Sequence, residues 1–193
     1  MHNLHPELTE ALGEMLDRLD SILRRGGYEG EPVQMYLAGG MAVHYYCGSR
    51  YTDDVDATFS KRLLLPYDQL AVSYMRQDNT ASSIYLDPTY NDTFALLHPD
   101  HRELSVEWEN IGNEHRLIHL RVFSALDLAV SKIARFSPSD QSDILALASR
   151  RLFNSEQLQE HADEALGYYV GDTRWIHLNL IQICQDIDLA LSA

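Results

Sequence analysis

Two short groups of residues in the first third of the chain are spaced so that their chemistry can combine. Gly39-Gly40 ends the apolar run 33–38, and Asp54-Val55-Asp56 follows after 13 intervening residues. A strand that ends in two glycines and turns straight into a helix leaves unpaired backbone N–H groups at the helix N-terminus. The missing Cβ atoms let an anion such as a phosphate oxygen approach them. A glycine pair after a strand is also the ordinary mark of a tight turn, so it does not define a site alone. Aspartates two positions apart on a strand share a face, with Val55 between them pointing into the core. Side by side, two carboxylates repel. A hard divalent cation offsets that cost, and Mg²⁺ (or Mn²⁺) accepts oxygen ligands while leaving room for water and phosphates. Asp54 and Asp56 therefore read as metal ligands and Asp53 as a loop residue; the plainer alternative makes all three turn aspartates before a strand.

The surrounding pattern says which elements hold these residues. Leu8, Leu12, Met15, Leu16, Leu19, Ile22 and Leu23 recur at helical spacing and stop at Gly26-Gly27, which predicts a helix over about 8–25. Residues 33–38 predict a buried strand, 41–46 the first turns of a helix, and 55–59 the next strand. Pro66 opens a predicted helix to about Gln77, and 83–86 form a short strand. Alternation over 104–111, with Leu104, Val106 and Trp108 on one face, then Gly112-Asn113 and the run 117–122, predicts a hairpin. From there on the chain reads as helices at 126–135, 138–152, 155–170 and 173–191. The expected architecture is an α/β (α+β) fold, with an α/β core and N-terminal helix over 1–123 and a helical region over 124–193.

Composition excludes several classes. The chain has 193 residues, 45% of them apolar and 23% charged, enough for a real core and too mixed for long disorder. Its formal net charge of −14 opposes broad adhesion to nucleic acid, which needs clustered cations. Cys47 and Cys184 lack metal-site or disulfide spacing and fit a reducing compartment. The N-terminus is acidic and amphipathic, and no apolar run is long enough for a membrane span, so a cytoplasmic protein with no membrane partner is expected. His98, His101, His115 and His119 show no zinc-ligand pattern, and no Ser, His and Asp set stands in a nucleophile context.

The combination Leu37-Ala38-Gly39-Gly40 with Asp54-Val55-Asp56-Ala57 resembles the signature of the DNA polymerase beta-like nucleotidyltransferase superfamily. More narrowly, Arg50-Tyr51-Thr52-Asp53-Asp54-Val55-Asp56 is similar to the Arg-x-Ser/Thr-x-Asp-h-Asp form of small bacterial nucleotidyltransferase-like proteins, including relatives of the abortive-infection (type IV) toxins. The segment 126–147, with Lys132 and then Asp143, is similar to the Lys-then-Asp motif of those toxin-like families, with Arg135 and Asp140 less securely placed. The likeness covers residues 33–60 and 120–148.

That resemblance implies a nucleotidyltransferase-like mixed sheet flanked by helices. It also implies that Asp54 and Asp56 hold Mg²⁺ or Mn²⁺, that Gly39, Gly40, Arg50, Thr52 and Lys132 contact the NTP, and that Lys132 and Asp143 belong to the catalytic set. A third carboxylate on a later strand should assist the attacking hydroxyl. Glu107, alternating away from Val106 and Trp108, is the first choice, with Glu103, Glu109 and Glu114 as alternatives. Gly40 departs from the pattern where many active relatives carry Ser. Asp140, in Ser137-Pro138-Ser139-Asp140, reads better as a helix cap. Asp143 is placed to pair with Lys132 or Arg135. The implied function is metal-dependent transfer of a nucleotidyl group from an NTP to a hydroxyl on RNA, protein or a small molecule. The alternatives are a degenerate fold that only binds nucleotide, and a toxin or phage-defence subunit masked by a cognate antitoxin or other partner.

Overall fold

Leu8, Leu12, Met15, Leu16 and Leu19 are fully buried and Leu23 nearly so, each contributing about 1.5–3 kcal/mol by leaving water. They define helix α1 (Pro6–Arg25), whose proline sits in the first turn, where its missing N–H costs nothing. The structure is a computed structural model that describes residues 5–48, 51–92 and 95–192. It divides into two compact units, one comprising residues up to Tyr90 with Ser105–Val122, the other Asn91–Leu104 with the chain from Phe123 onward.

The first unit is a mixed α/β layer. Strand β1 (Val33–Leu37) leads directly into helix α2 (Gly39–Cys47), and β2 (Asp54–Val55) and β3 (Ala57–Phe59) are two halves of one extended run. After β4 (Val72–Met75) and β5 (Ala81–Leu86) come β6 (Val106–Glu107) and β7 (Ile118–Val122). The strands form a four-stranded sheet in the order β3-β1-β7-β6 and a three-stranded sheet in the order β2-β5-β4. The run 54–59 thus changes sheets at Asp56: β2 lies parallel to β5, and β3 antiparallel to β1. Helix α1 packs against β4 and β7.

Two sequence expectations fail here. The helix expected over 66–77 is one 3₁₀ turn at Tyr67–Gln69 followed by β4. Val72 and Ile84 are buried partners across a hairpin. Its turn places Asn79 at φ 63° and lets Asp78 accept from the Thr80 amide (2.9 Å) and hydroxyl (2.6 Å). A local turn and cross-strand burial outweigh the helical start that Pro66 suggested. The hairpin over 104–122 forms, antiparallel through Val106 and Glu107, but its apolar face is not uniform. Trp108 is buried, whereas Leu104 and Val106 are exposed.

The second unit contains α3 (Ala125–Ile133), α4 (Pro138–Ser149), α5 (Ser155–Leu166) and α6 (Arg174–Ser192), with α4 and α5 both packed on α6. Its helices start where the sequence puts oxygen-bearing caps: Ser124 for α3, Ser137 for α4 and Asn154 for α5. The Ser137/Asp140 pair forms a complete capping box.

Asp140 is fully buried, and burial pushes its carboxyl up, but Arg135 and Ser137 outweigh that and hold it well below the usual carboxylate range. Because the folded pKa is depressed, the stabilisation is complete above the unfolded value of about 4 and is lost as pH falls through the folded one. Thermal melts between about pH 6 and pH 2 should show a steep acid loss that is shallower in Asp140→Asn. Equal slopes in both proteins would refute the role. Among the described residues, no helix is long and apolar enough to cross a membrane.

Candidate functional site

The centre of the site is the junction where β1 ends and the run 54–59 changes sheets. Leu37 pairs with Ala57, and the Asp56 carbonyl accepts from the Ala38 amide (2.8 Å), so Asp56 lies beside the first residue of α2. Gly39 has φ +57°, and a Cβ added there would fall 1.7 Å from the Asp56 Oδ2. The carboxylate fills the space that any other residue at position 39 would claim. Both features of Gly39, its left-handed backbone and its missing side chain, are therefore required. At Gly40 an added Cβ would sit 3.0 Å from the Thr52 Oγ1, so the threonine hydroxyl lies where a side chain at 40 would start.

Burial alternates along the run: Asp54 is exposed, Val55 buried, Asp56 half-buried and Ala57 buried. Asp54 and Asp56 are thus the more exposed members of the run, and Val55 and Ala57 the buried ones. Asp53 points elsewhere, pairing with Arg76 (3.2 Å) and Ser82 (3.0 Å). Strand β5 supplies the neighbours of the pair. Asp54 is registered with Tyr85 and Val55 with Leu86, and the Asp87 amide donates to the Val55 carbonyl at 3.1 Å. Ile84 and Leu86 are buried while Tyr85 is exposed and Asp87 half-buried, which puts Tyr85 and Asp87 on the same face as the aspartate pair. The Asp54 carboxylate, foremost, raises the Tyr85 phenol above its ordinary value, and Asp53 and Asp87 add to the field. Asp87 accepts from the Thr89 amide and hydroxyl, both at 2.7 Å.

Glu107 is not beside this group. Its strand is the far edge of the four-stranded sheet, three strand spacings from β3, or about 14 Å. There it is registered with Arg121 and accepts from the Asn113 amide nitrogen at 3.2 Å. The strand beside the aspartate run ends instead at Asp87, whose amide meets the Val55 carbonyl. The strand at 83–86 was legible, but its parallel pairing with the aspartate run was not. Arg50 lies outside the described residues.

Lys132 and Asp143 meet within the helical unit, with Nζ 2.9 Å from the Asp143 Oδ2 and 3.6 Å from the Asp140 Oδ1. Both are buried, so Lys132 is not the snorkelling surface lysine that its apolar helix suggests. Arg135 grips Asp140 with two bonds, 2.7 and 2.6 Å. His98 and His101 also work inside this unit. His98 Nε2 lies 2.7 Å from Glu164, its ring stacks on His161 at 4.6 Å, and His161 reaches the buried Asp127 at 2.8 Å. A pocket of ≈ 500 Å³ beside them is lined in part by His98, His101, Arg102, Tyr168 and Tyr169.

Among the described residues, no group of three or more His, Cys, Asp or Glu is arranged to enclose a metal ion. Two carboxylates on one open face still fit Mg²⁺ or Mn²⁺, which bind through one or two protein carboxylates and take the rest of their ligands from water and phosphates. The donor set is hard oxygen throughout, and the glycine cradle fixes one of its members.

Comparison with solved structures finds a similarity to an antigenic nucleotidyltransferase-like protein from Paracoccidioides brasiliensis, 18% identical over 95% of this chain and 93% of that one, with a TM-score of 0.47. Curated protein sequences give no match. A family model described as nucleotidyltransferase of unknown function (DUF6036) matches residues 14–187, nearly the whole chain and every candidate residue discussed above. The chain belongs to that nucleotidyltransferase family.

Proposed function

We propose that the protein transfers a nucleotidyl group from an NTP to a hydroxyl acceptor, using the face formed by Asp54, Asp56 and Asp87 and the glycine turn at Gly39-Gly40. The observation that carries this reading is the seating of the Asp56 carboxylate against Gly39. It locks a candidate metal ligand to the N-terminus of α2, where backbone N–H groups favour phosphate. Mg²⁺ or Mn²⁺ held by Asp54 and Asp56 would supply charge neutralisation at the phosphates. The chain's own residues do the rest. Amides at the start of α2 bind phosphate oxygens, and Thr52 offers the hydroxyl that Gly40 lacks. Asp87, in the role first given to Glu107, accepts the proton of the attacking hydroxyl as its oxygen bonds to the α-phosphorus and the bond to the β-phosphate breaks, releasing pyrophosphate. The acceptor is a hydroxyl on RNA, protein or a small molecule, and a masking partner such as an antitoxin belongs to the same reading.

The test is incubation of purified protein with each of four α-labelled NTPs, Mg²⁺ or Mn²⁺, and cellular RNA or lysate. Wild type should transfer label, and Asp54→Asn with Asp56→Asn should abolish both transfer and metal-dependent NTP binding. Metal-dependent binding without transfer for any nucleotide would replace this reading with a nucleotide-binding module. Equal nucleotide affinity with and without EDTA would remove the metal site itself.

A further inference from the structure

Arg76 stands at the turn of the β4–β5 hairpin and reaches the segment that leads into the aspartates. Its amide donates to the Thr80 carbonyl and its own carbonyl accepts from the Asn79 amide, both at 2.9 Å, so the turn fixes where its side chain starts. The guanidinium then touches two residues of that segment. Its carbon lies 4.7 Å from the centre of the Tyr51 ring, and Nη2 donates to the Asp53 Oδ1 at 3.2 Å. Ser82, on β5, closes a triangle: its hydroxyl accepts from Arg76 Nη2 (2.8 Å) and donates to the same Asp53 oxygen (3.0 Å). The far end of Tyr51 is held as well. Its hydroxyl donates to Glu7 at 2.6 Å and lies 2.8 Å from the His5 Nδ1.

Between these two anchored residues stands Thr52, whose Oγ1 lies 3.0 Å from where a Cβ on Gly40 would be. Its hydroxyl donates to the Asp54 carbonyl at 3.3 Å, a long bond for an O–H donor and one that a phosphate oxygen can replace. We infer that Arg76 is a positioning residue: by gripping residues 51 and 53 with one guanidinium, it fixes the Thr52 hydroxyl at the glycine turn for a phosphate oxygen of the NTP. This rests on the reading of Thr52 as a phosphate contact beside Gly40. A hydroxyl already in place spends no ordering entropy on binding, which is how a group that never touches the ligand raises affinity. The planar fork both stacks and bonds, a combination that lysine, a point charge on a flexible stem, does not reproduce.

The experiment is calorimetric titration of NTP with Mn²⁺ into wild type, Arg76→Lys, Arg76→Met, Thr52→Val, Thr52→Ser and the double variants that join each Arg76 substitution to Thr52→Val. Thr52→Val removes the hydroxyl at nearly constant volume and should weaken NTP binding about 10-fold or more, the worth of a hydrogen bond to a charged group. Thr52→Ser keeps the hydroxyl and should bind as wild type does. Each Arg76 substitution should weaken binding about 3- to 10-fold alone and not at all once Thr52→Val is present, because a positioning group is idle without the group it positions. If Arg76→Met melts well below wild type, Arg76→Lys, which keeps a cation beside Asp53, makes the same comparison. Equal losses from the Arg76 substitutions with and without Thr52→Val would overturn the positioning role and assign Arg76 a purely structural one. Wild-type affinity in both Arg76 variants, with Thr52→Val impaired, would overturn it too and leave the phosphate contact standing. Wild-type affinity in Thr52→Val would overturn the phosphate contact and the positioning role together. Absence of NTP binding by the wild type would overturn the nucleotide site from which both follow.

Discussion

Replacing Lys132 by Met is expected to lower the unfolding free energy by about 3–5 kcal/mol, as measured by urea unfolding. The Lys132 side chain is 7% exposed, and its ammonium lies within 4 Å of the carboxylates of Asp143, 8% exposed, and Asp140, fully buried. Methionine fills nearly the same volume, so the loss reports charge rather than cavity. What costs energy is the loss of the cation 2.9 Å from the buried Asp143 carboxylate, since a buried pair broken on one side is far worse than a pair removed. The double variant Lys132→Met/Asp143→Leu should therefore recover most or all of the stability. A cost below about 1 kcal/mol for Lys132→Met would match an exposed pair and contradict this account. The same variant bears on function: NTP binding that survives in the folded double variant would free Lys132 from the phosphate role that its motif implies.

Gly39→Ala should reduce metal-dependent NTP binding by about 10²-fold or more, the penalty that ångström-scale misplacement of a catalytic group brings. The new methyl would lie 1.7 Å from Oδ2 and 2.7 Å from Cγ of Asp56, far inside contact distance, so the carboxylate must move. The backbone adds its own strain, since φ is +57°. Gly27→Ala separates the two effects. Gly27 has φ +71° with nothing within 4 Å of an added Cβ, so it should lose about 1–2 kcal/mol of stability and no nucleotide binding. Calorimetric titration of NTP with Mn²⁺ into both variants checks this. If Gly39→Ala binds as tightly as Gly27→Ala, the packing of Asp56 against Gly39 has no functional weight.

Local rules written in the chain were enough for much of the fold. Helical spacing with Gly26-Gly27 bounded α1, and Ser137 with Asp140 announced the start of α4, because periodicity and capping involve residues within a few positions of one another. The alternation Asp54-Val55-Asp56 foretold which of these side chains is buried, since successive residues of an extended run point to opposite sides. The missed strand at Val72–Met75 was signalled by the Asp78-Asn79 turn, a local cue outweighed by Pro66 in the reading.

What the linear chain left undecided was which strand would lie beside which. Glu107 and Asp87 each sit on or just past a strand, and alternation alone cannot choose between them. The parallel pairing of β2 with β5 brings the backbone of Asp87 to the aspartate run, while β6 lies at the far edge of the other sheet. Parallel neighbours are joined by long connections, so no short-range pattern records their register. The same holds for Tyr85, an unremarked tyrosine until that register set it against Asp54. Lys132 stood in the sequence as a motif lysine on an apolar helix, and only the packing of α3 on α4 enclosed it beside two carboxylates. Sequence fixes what a residue offers and which way it faces along its own element. Burial and charge partners come from elements remote in the chain, and only the folded packing supplies them.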